Sequence, residues 1–342
     1  MTSGTEPAAA VSTRPRARQE TAVLHLVRKA NGLEPFARFL DSYRSHPAGV
    51  EHELVLVFKG FAEEAECEAY VELAAGLAAR SLKVPDDGYD LGAYRRAALL
   101  LEHPRLLLLN SFSVILAGRW LEFMAAAAAR PGIVAVAATG SWGSRASHQR
   151  FELGLGGPYG RLFPDRATTQ GVFARLAAPS PDAGQDAGPS RRGKPAMALE
   201  IARTLMREAR AFSAFPSPHL RTNGLFLRRE DWLRVSGVPA DKLAAHRLES
   251  GRRGITELLG VRGGEVCVVG RDGHAWRQEE WPESLTFWQG DQRNLLIGDN
   301  QTIAYETGEE LCKRVLSAYA WGERALAAPS APAGRAAGKT PA

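Results

Sequence analysis

Residues 22–58 read AVLHLVRKANGLEPFARFLDSYRSHPAGVEHELVLVF, and this stretch decides the class of fold. The apolar run of residues 22–27 predicts a buried strand, and Asn31-Gly32 ends it with a turn. Residues 33–43 have the apolar spacing of a helix, and residues 52–58 predict a second strand. Two strands joined by a helical crossover predict parallel pairing, because parallel strands need a connection of about a dozen residues or more.

The same alternation continues along the chain. Further strands are predicted at residues 82–84, 105–109, 133–138, 220–227 and 266–269. Further helices are predicted at residues 62–77, 91–101, 119–129, 198–212, 231–235, 243–249, 255–259 and 309–321. This order predicts an α/β fold of Rossmann-like type, with a mainly parallel sheet and helices on both faces.

Three low-complexity segments rich in Ala, Pro, Gly and Ser interrupt or flank this pattern. We predict disordered tails at residues 1–20 and 325–342, and a flexible loop at residues 177–196, because such composition buries little apolar surface. Residues 21–324 are then predicted to form a single domain. The tails and the loop carry most of the net charge of +5. The sequence of the folded part shows no clustered basic face with interleaved aromatics, so nucleic acid is not an expected partner.

The sequence contains no apolar run of the length that a membrane helix needs, about 18 residues. The first twenty residues also lack the apolar segment of a secretory signal. We therefore expect a cytoplasmic protein without a transmembrane segment, and peripheral association with a membrane stays open.

Polar residues follow several of the predicted strands, at residues 28–32, 59–60, 86–90, 110–113 and 139–142. In open α/β sheets, ligands bind beyond the carboxyl ends of the strands. Each of these side chains also has a purely structural interpretation. Asn31 fits a tight turn, Lys59 fits a solvated surface cation, and Asp90 fits the N-cap of the following helix.

Four segments carry a resemblance to a known family. They are VLHLVRKANGLEPFARFLDSY (residues 23–43), GYDLGAY (88–94), TNGLFLRREDWLRVSG (222–237), and Glu249 followed by SGRRGITELLGVRGGEVCVV (250–269). In order and spacing they resemble GT-A nucleotide-sugar glycosyltransferases of the family-2-like and rhamnan-synthesis types, which act in bacterial polysaccharide clusters. The resemblance covers residues 22–322.

The resemblance implies transfer of a sugar from a nucleotide-sugar donor to a hydroxyl of a glycan or lipid-linked acceptor, with inversion. It places Asn223 and Arg252 on the acceptor side and makes Glu249 the catalytic base. A structural alternative for Glu249 is an ion pair with Arg252 or Arg253. The residues implied in donor binding are Arg28, Asn31, Lys59, Asp87, Asp90, Asn110 and Ser111.

One segment departs from the family pattern. Family members end the central strand with an Asp-X-Asp motif that binds Mg²⁺ or Mn²⁺, whereas residues 110–113 read NSFS. We therefore predict no metal ligand, although the resemblance implies one of these two cofactors. Either another acid binds the metal, or Arg28, Lys59 or Arg252 supplies its charge. The remaining alternatives are a non-catalytic protein that binds a nucleotide or glycan, and a scaffold subunit of a polysaccharide assembly complex.

Overall fold

The fold is taken from a computed structural model that describes residues 19–176, 194–261 and 263–326. The predicted tails and the predicted loop lie almost entirely outside these ranges. The last three residues of the predicted loop, 194–196, begin a helix instead.

Twelve strands and twelve α-helices are found in the described ranges. The strands are β1 Thr21–Arg28, β2 Glu53–Lys59, β3 Ala79–Val84, β4 Arg105–Leu109, β5 Val114–Ile115, β6 Ile133–Ala137, β7 Gly140–Ser141, β8 His219–Leu220, β9 Leu225–Arg228, β10 Glu265–Val269, β11 Ala275–Arg277 and β12 Ile297–Gly298. The helices are α1 Leu33–Ser45, α2 Glu68–Leu73, α3 Tyr89–Leu100, α4 Trp120–Ala128, α5 Arg145–Glu152, α6 Arg166–Leu176, α7 Lys194–Ala211, α8 Arg229–Val235, α9 Lys242–Ser250, α10 Ile255–Gly260, α11 Asn300–Glu306 and α12 Glu310–Trp321.

Eight strands form one central sheet in the order β11-β10-β6-β9-β4-β1-β2-β3. Strands β3, β2, β1 and β4 pair in parallel, and so do β6 and β10. Strand β9 lies between β4 and β6 and is antiparallel to both. Edge strand β11 is antiparallel to β10. The α/β class with a mainly parallel sheet, expected from the sequence, is confirmed.

Side chains of the central strands alternate between two apolar cores. Along β1, Val23 and Val27 contact one core, while Leu24 and Leu26 contact the other. Helices α1, α2 and α4 cover the first core, and α3, α8, α10 and α12 cover the second. Because both faces are covered, the strands are continuously apolar rather than alternating with polar residues. The expected helices on both faces are therefore present.

Gly224, the residue before β9, contacts the strands on both sides of it. Its N–H donates to the carbonyl of Leu108 at 2.8 Å, and its carbonyl accepts from the N–H of Ala138 at 3.0 Å. Its φ is +73°, and a Cβ added there would lie 2.7 Å from the Cβ of Ala138. Glycine therefore meets both the backbone conformation and the close approach at this point.

Two sequence predictions are corrected by the structure. The strand predicted over residues 220–227 is two strands, β8 and β9, because the positive φ of Gly224 breaks the extended chain. The helix predicted over residues 62–77 is a 3-10 turn at Glu64–Cys67 followed by the short α2. Gly76, with a φ of +83°, lies between that helix and β3.

Several elements were not predicted. Helices α5, α6 and α11 and the short strands β5, β7, β11 and β12 have too few apolar repeats to give a period in the sequence. Among the described helices, none combines the length and the hydrophobicity needed to cross a membrane.

We expect Gly224→Ala to lower the free energy of unfolding by about 1–3 kcal/mol, because the new methyl group overpacks against Ala138. Gly132→Ala is the matched control. Gly132 has a similar φ of +84°, but a Cβ there meets nothing within 4 Å. Urea denaturation of both variants measures the difference. Equal destabilisation would show that the close approach at Gly224 is unimportant.

Candidate functional site

A cavity of about 710 Å³ lies at the carboxyl edge of the central sheet. Its wall brings together seven of the residues singled out in the sequence: Arg28, Asn31, Asp90, Asn110, Ser111, Asn223 and Glu249. They come from the ends of β1 and β4, from the first turn of α3, from the start of β9 and from α9. Because β9 runs antiparallel to its neighbours, the residues just before it, Thr222 and Asn223, lie at this edge.

The side chain of Asn223 joins three parts of this wall. Its Oδ1 accepts the backbone N–H of Asn110 at 3.1 Å and the hydroxyl of Ser113 at 2.6 Å. Its Nδ2 donates to the carbonyl of Gly298 at 3.1 Å. The residue is buried, and both ends of the amide are hydrogen-bonded within the protein. The predicted acceptor-side residue therefore positions the wall of the cavity.

The NSFS segment forms a closed turn directly after β4. Asn110 Oδ1 accepts the N–H of Phe112 at 2.9 Å, and the hydroxyl of Ser113 donates to the carbonyl of Asn110 at 2.8 Å. Asn110 Nδ2 lies 3.4 Å from Asp299 Oδ2. The turn thus presents neutral polar groups to the cavity directly after β4.

Glu249 lies near the end of α9, with its carboxylate in the cavity wall. The hydroxyl of Thr222 donates to its Oε1 at 2.8 Å. Desolvation by burial raises the pKa of Glu249, and the negative charge of Asp90 adds to that rise. The Thr222 hydrogen bond and the positive charge of Arg221 act in the opposite direction and lower this pKa.

The ion pair considered for Glu249 is not formed with Arg252. Helix α9 ends at Ser250, and Arg252 Nε then donates to the carbonyls of Ala209 and Phe212 at 3.1 and 3.2 Å. Arg253 forms no ion pair with Glu249 either, within the part of the chain that the structure describes. The neighbouring arginines therefore do not depress the pKa of this carboxyl group.

Asp90 lies in the first turn of α3, and the N-cap of that helix is Gly88. The predicted N-cap role of Asp90 is therefore wrong. Burial raises the pKa of Asp90, while the charges of Lys59 and Arg28 act to lower it. The buried hydroxyl of Tyr94, one turn further along α3, has no hydrogen-bond partner in the described residues. Burial and the charges of Asp90 and Glu249 raise the pKa of Tyr94.

Arg221 and Asp299 form a buried ion pair that the sequence did not reveal. Arg221 Nη2 lies 2.7 Å from Asp299 Oδ2 and 3.0 Å from Gln301 Oε1. Its guanidinium carbon lies 4.3 Å from the centroid of the Phe287 ring, a cation–π contact. Asp299 also caps α11 by accepting two backbone N–H groups. The arginine is thereby held in one orientation in the cavity wall.

Three predicted site residues do not line the cavity. The buried ammonium group of Lys59 lies 3.0 Å from Asp86, and Asp87 pairs with Arg96 at 2.6 Å on the outer side of the loop. Arg252 lies in a separate groove beside α7, as its hydrogen bonds require. Local ion pairs account for the placement of the first two residues.

Two histidines, His219 and His246, also line the cavity. His219 Nδ1 donates to the carbonyl of Ser217 at 2.8 Å, and burial lowers the pKa of His219 to about 4. Burial likewise lowers the pKa of His246 to about 4. Both rings are therefore neutral at neutral pH. Trp288 and Tyr319 supply aromatic surface to the same wall.

The carboxylates of the cavity do not form a metal centre of the usual kind. In the described ranges, no group of three or more His, Cys, Asp or Glu side chains is placed to hold a metal ion. The carboxylate of Asp299 is already paired with Arg221 and accepts two backbone N–H groups at the start of α11. The expectation that Mg²⁺ or Mn²⁺ matters less here than in enzymes with the Asp-X-Asp motif stays a prediction, and no chemical step below depends on a metal.

No protein-family model matches this chain, and no curated protein sequence matches it either. Among solved structures, it is similar to S. aureus TarS. The crystal structure of TarS 1–349 with UDP-GlcNAc has a TM-score of 0.29 and 14% identity, over 34% of this chain and 33% of that one. The full TarS structure gives a TM-score of 0.27 and 16% identity, over 34% and 21%. The chain thus covers a third or less of TarS, and similarities at this level decide neither fold nor function.

We expect Glu249→Gln to raise the melting temperature more at about pH 8 than at about pH 4. The pKa of Glu249 is raised above its ordinary value of 4.5, so the folded state keeps a proton that the unfolded chain has lost. Wild-type stability contributed by this group is therefore full below 4.5 and is lost as pH rises through the raised pKa. Glutamine does not titrate and avoids that loss.

Differential scanning calorimetry across this pH range measures the effect. Glu257→Gln on α10 is the control for the loss of one negative charge outside the cavity. A difference in melting temperature between Glu249→Gln and wild type that stays constant with pH would contradict the desolvation of Glu249.

Proposed function

We propose that this protein is a glycosyltransferase that moves a sugar from a nucleotide-sugar donor to a hydroxyl of a glycan or lipid-linked acceptor. The observation that carries the proposal is the desolvated carboxylate of Glu249 in the wall of a large polar cavity at the carboxyl edge of the sheet. The resemblance of the four sequence segments to GT-A transferases supports the same reaction.

Glu249 has the properties of a general base in this reaction. A base is most effective when its pKa lies near the working pH, and burial moves the pKa of Glu249 in that direction. Thr222 donates to Oε1 and fixes the carboxylate. Oε2 accepts no hydrogen bond from the described residues and is the oxygen that we assign to the acceptor hydroxyl.

The proposed step is an in-line displacement at the anomeric carbon. The acceptor oxygen forms the new bond to that carbon while its proton passes to Glu249. The bond from the anomeric carbon to the diphosphate oxygen breaks, and the diphosphate leaves with the electron pair. Holding donor and acceptor in line in one cavity supplies much of the rate.

Two arginines in the cavity wall are suited to the negative charge of the donor. Arg28 ends β1 and lies on the same wall as Asn31, Asn110 and Ser111. Arg221 is fixed by Asp299 and Gln301. Preorganised cations stabilise charge that develops on a leaving group. We propose that these arginines contact the diphosphate.

A second candidate is a protein that binds a nucleotide or glycan without catalysis. The closed NSFS turn favours it, because neutral groups stand where the family's metal-binding carboxylates would be. Nucleotide binding without turnover would support this candidate. A scaffold subunit of a polysaccharide assembly complex would show neither binding nor turnover.

We expect uridine, guanosine or thymidine diphosphates, or their sugars, to raise the melting temperature, because a ligand that binds only the folded state stabilises it. UDP-GlcNAc, the ligand in the TarS structure, belongs in the panel. Arg28→Gln should reduce the shift, and Arg80→Gln, an exposed residue of β3, should leave it unchanged. A full panel without any shift, checked by calorimetry at high ligand concentration, would exclude donor binding.

The same panel is run with and without a chelator. Because NSFS offers no carboxylate, we expect donor binding to persist when divalent ions are removed. Binding that the chelator abolishes and Mn²⁺ or Mg²⁺ restores would show that another acid binds a metal. Asp90 would then be the first residue to test.

Glu249→Gln should reduce turnover by roughly 10²–10⁴-fold while donor affinity stays intact, because it removes the proton acceptor and keeps the shape. Single-turnover kinetics and calorimetric titration measure the two quantities separately. Near-normal turnover of the folded variant would remove Glu249 from the mechanism.

A further inference from the structure

A second concavity, of about 570 Å³, lies on the other side of α9 from the cavity. We call it the arginine groove. Its apolar floor contains Val238, Pro239, Ala244 and Leu248. Four arginines surround this floor: Arg210, Arg247, Arg252 and Arg253. The residues that line the groove include no carboxylate and no aromatic ring.

The positive charge of the arginine groove is largely uncompensated. Arg210, Arg247 and Arg253 are exposed, and none of their side chains has a hydrogen bond or ion pair to a residue in ranges 19–176, 194–261 and 263–326. Other arginines, such as Arg234, are paired with carboxylates. The fourth groove arginine, Arg252, fixes the groove against the end of α7.

The exposed face of α7 continues the groove. Arg203 and Arg207 are exposed on this helix, two turns and one turn before Arg210. Met206 lies between them and is 50% exposed, and Val238 in the groove floor is 44% exposed. Exposed apolar side chains among arginines are typical of protein surfaces that insert shallowly into a lipid headgroup layer.

We propose that the arginine groove and the exposed face of α7 bind the surface of a membrane that contains anionic phospholipids. Guanidinium groups pair with phosphate oxygens through parallel hydrogen bonds. Basic side chains near an anionic leaflet each contribute to binding. The apolar floor suits the boundary with the acyl chains, and the absence of aromatic lining residues disfavours single-stranded nucleic acid, which stacks its bases.

The position of α9 connects this surface with the cavity. Arg247 and Leu248 face the arginine groove, whereas His246 and Glu249 face the cavity. A membrane bound at the groove therefore lies next to the helix that carries Glu249. The proposal itself does not depend on the transfer reaction, since membrane binding is measured without donor or acceptor.

The test is co-sedimentation of the full chain with vesicles of pure phosphatidylcholine or of phosphatidylcholine with phosphatidylglycerol. We expect binding to the anionic vesicles only, weakened by salt because exposed charges are screened. Arg247→Glu with Arg253→Glu should lower the partition coefficient by about 30-fold or more, since each cation near an anionic surface contributes about fivefold.

The matched control is Arg80→Glu with Arg130→Glu, which changes the net charge equally at exposed sites outside the groove and α7. It should retain most of the binding. Melting temperatures verify that the variants fold. If the charge-reversal variant Arg247→Glu with Arg253→Glu unfolds, Arg247→Gln with Arg253→Gln is used in its place. Three outcomes would overturn the proposal. The groove and control variants lose vesicle binding equally, the wild type does not bind anionic vesicles, or the wild type binds neutral vesicles equally well. Binding of soluble glycerol phosphate without any binding to anionic vesicles would also overturn it, because the groove would then be a site for the free headgroup and not for a membrane.

Discussion

The candidate site depends on the amide of Asn223, which is buried between three segments and uses both its donor and its acceptor. It ties the turn after β4 to β9 and to the carbonyl of Gly298. A buried amide without such partners would destabilise the fold, so the three segments must meet in one arrangement. The residues next to each segment, Thr222, Asn110 and Asp299, thereby come to line one cavity.

The sequence predicts most of the sheet and much of the edge where the cavity lies. Strands with uninterrupted apolar runs, such as Arg105–Leu109, are found where the pattern places them. Arg28, Asn110 and Ser111 follow such strands and reach the cavity, because the carboxyl ends of parallel strands meet at one edge. The prediction fails at Lys59, whose ammonium group pairs with Asp86 in the loop after β3 and does not line the cavity.

The contacts that define the chemistry of the cavity are long-range, and spacing along the chain does not report them. Glu249 is three residues from Arg252, which suggests an ion pair, yet its partner is Thr222 on a different element. Arg221 and Asp299 are 78 residues apart and belong to segments without a clear period. The antiparallel insertion of β9 brings Thr222 to Glu249 and Arg221 to Asp299. In the sequence, Gly224 is the one residue that marks this insertion.

Helix α9 belongs to two walls, since it separates the cavity from the arginine groove. If a ligand in the cavity and a ligand in the groove each bind more tightly to one position of α9, each changes the affinity of the other. Thermodynamic reciprocity requires the two effects to be equal, so occupation of the cavity would strengthen or weaken attachment at the groove by the same factor. Through α9, the time that the protein stays bound to a surface would then depend on whether the cavity holds a ligand.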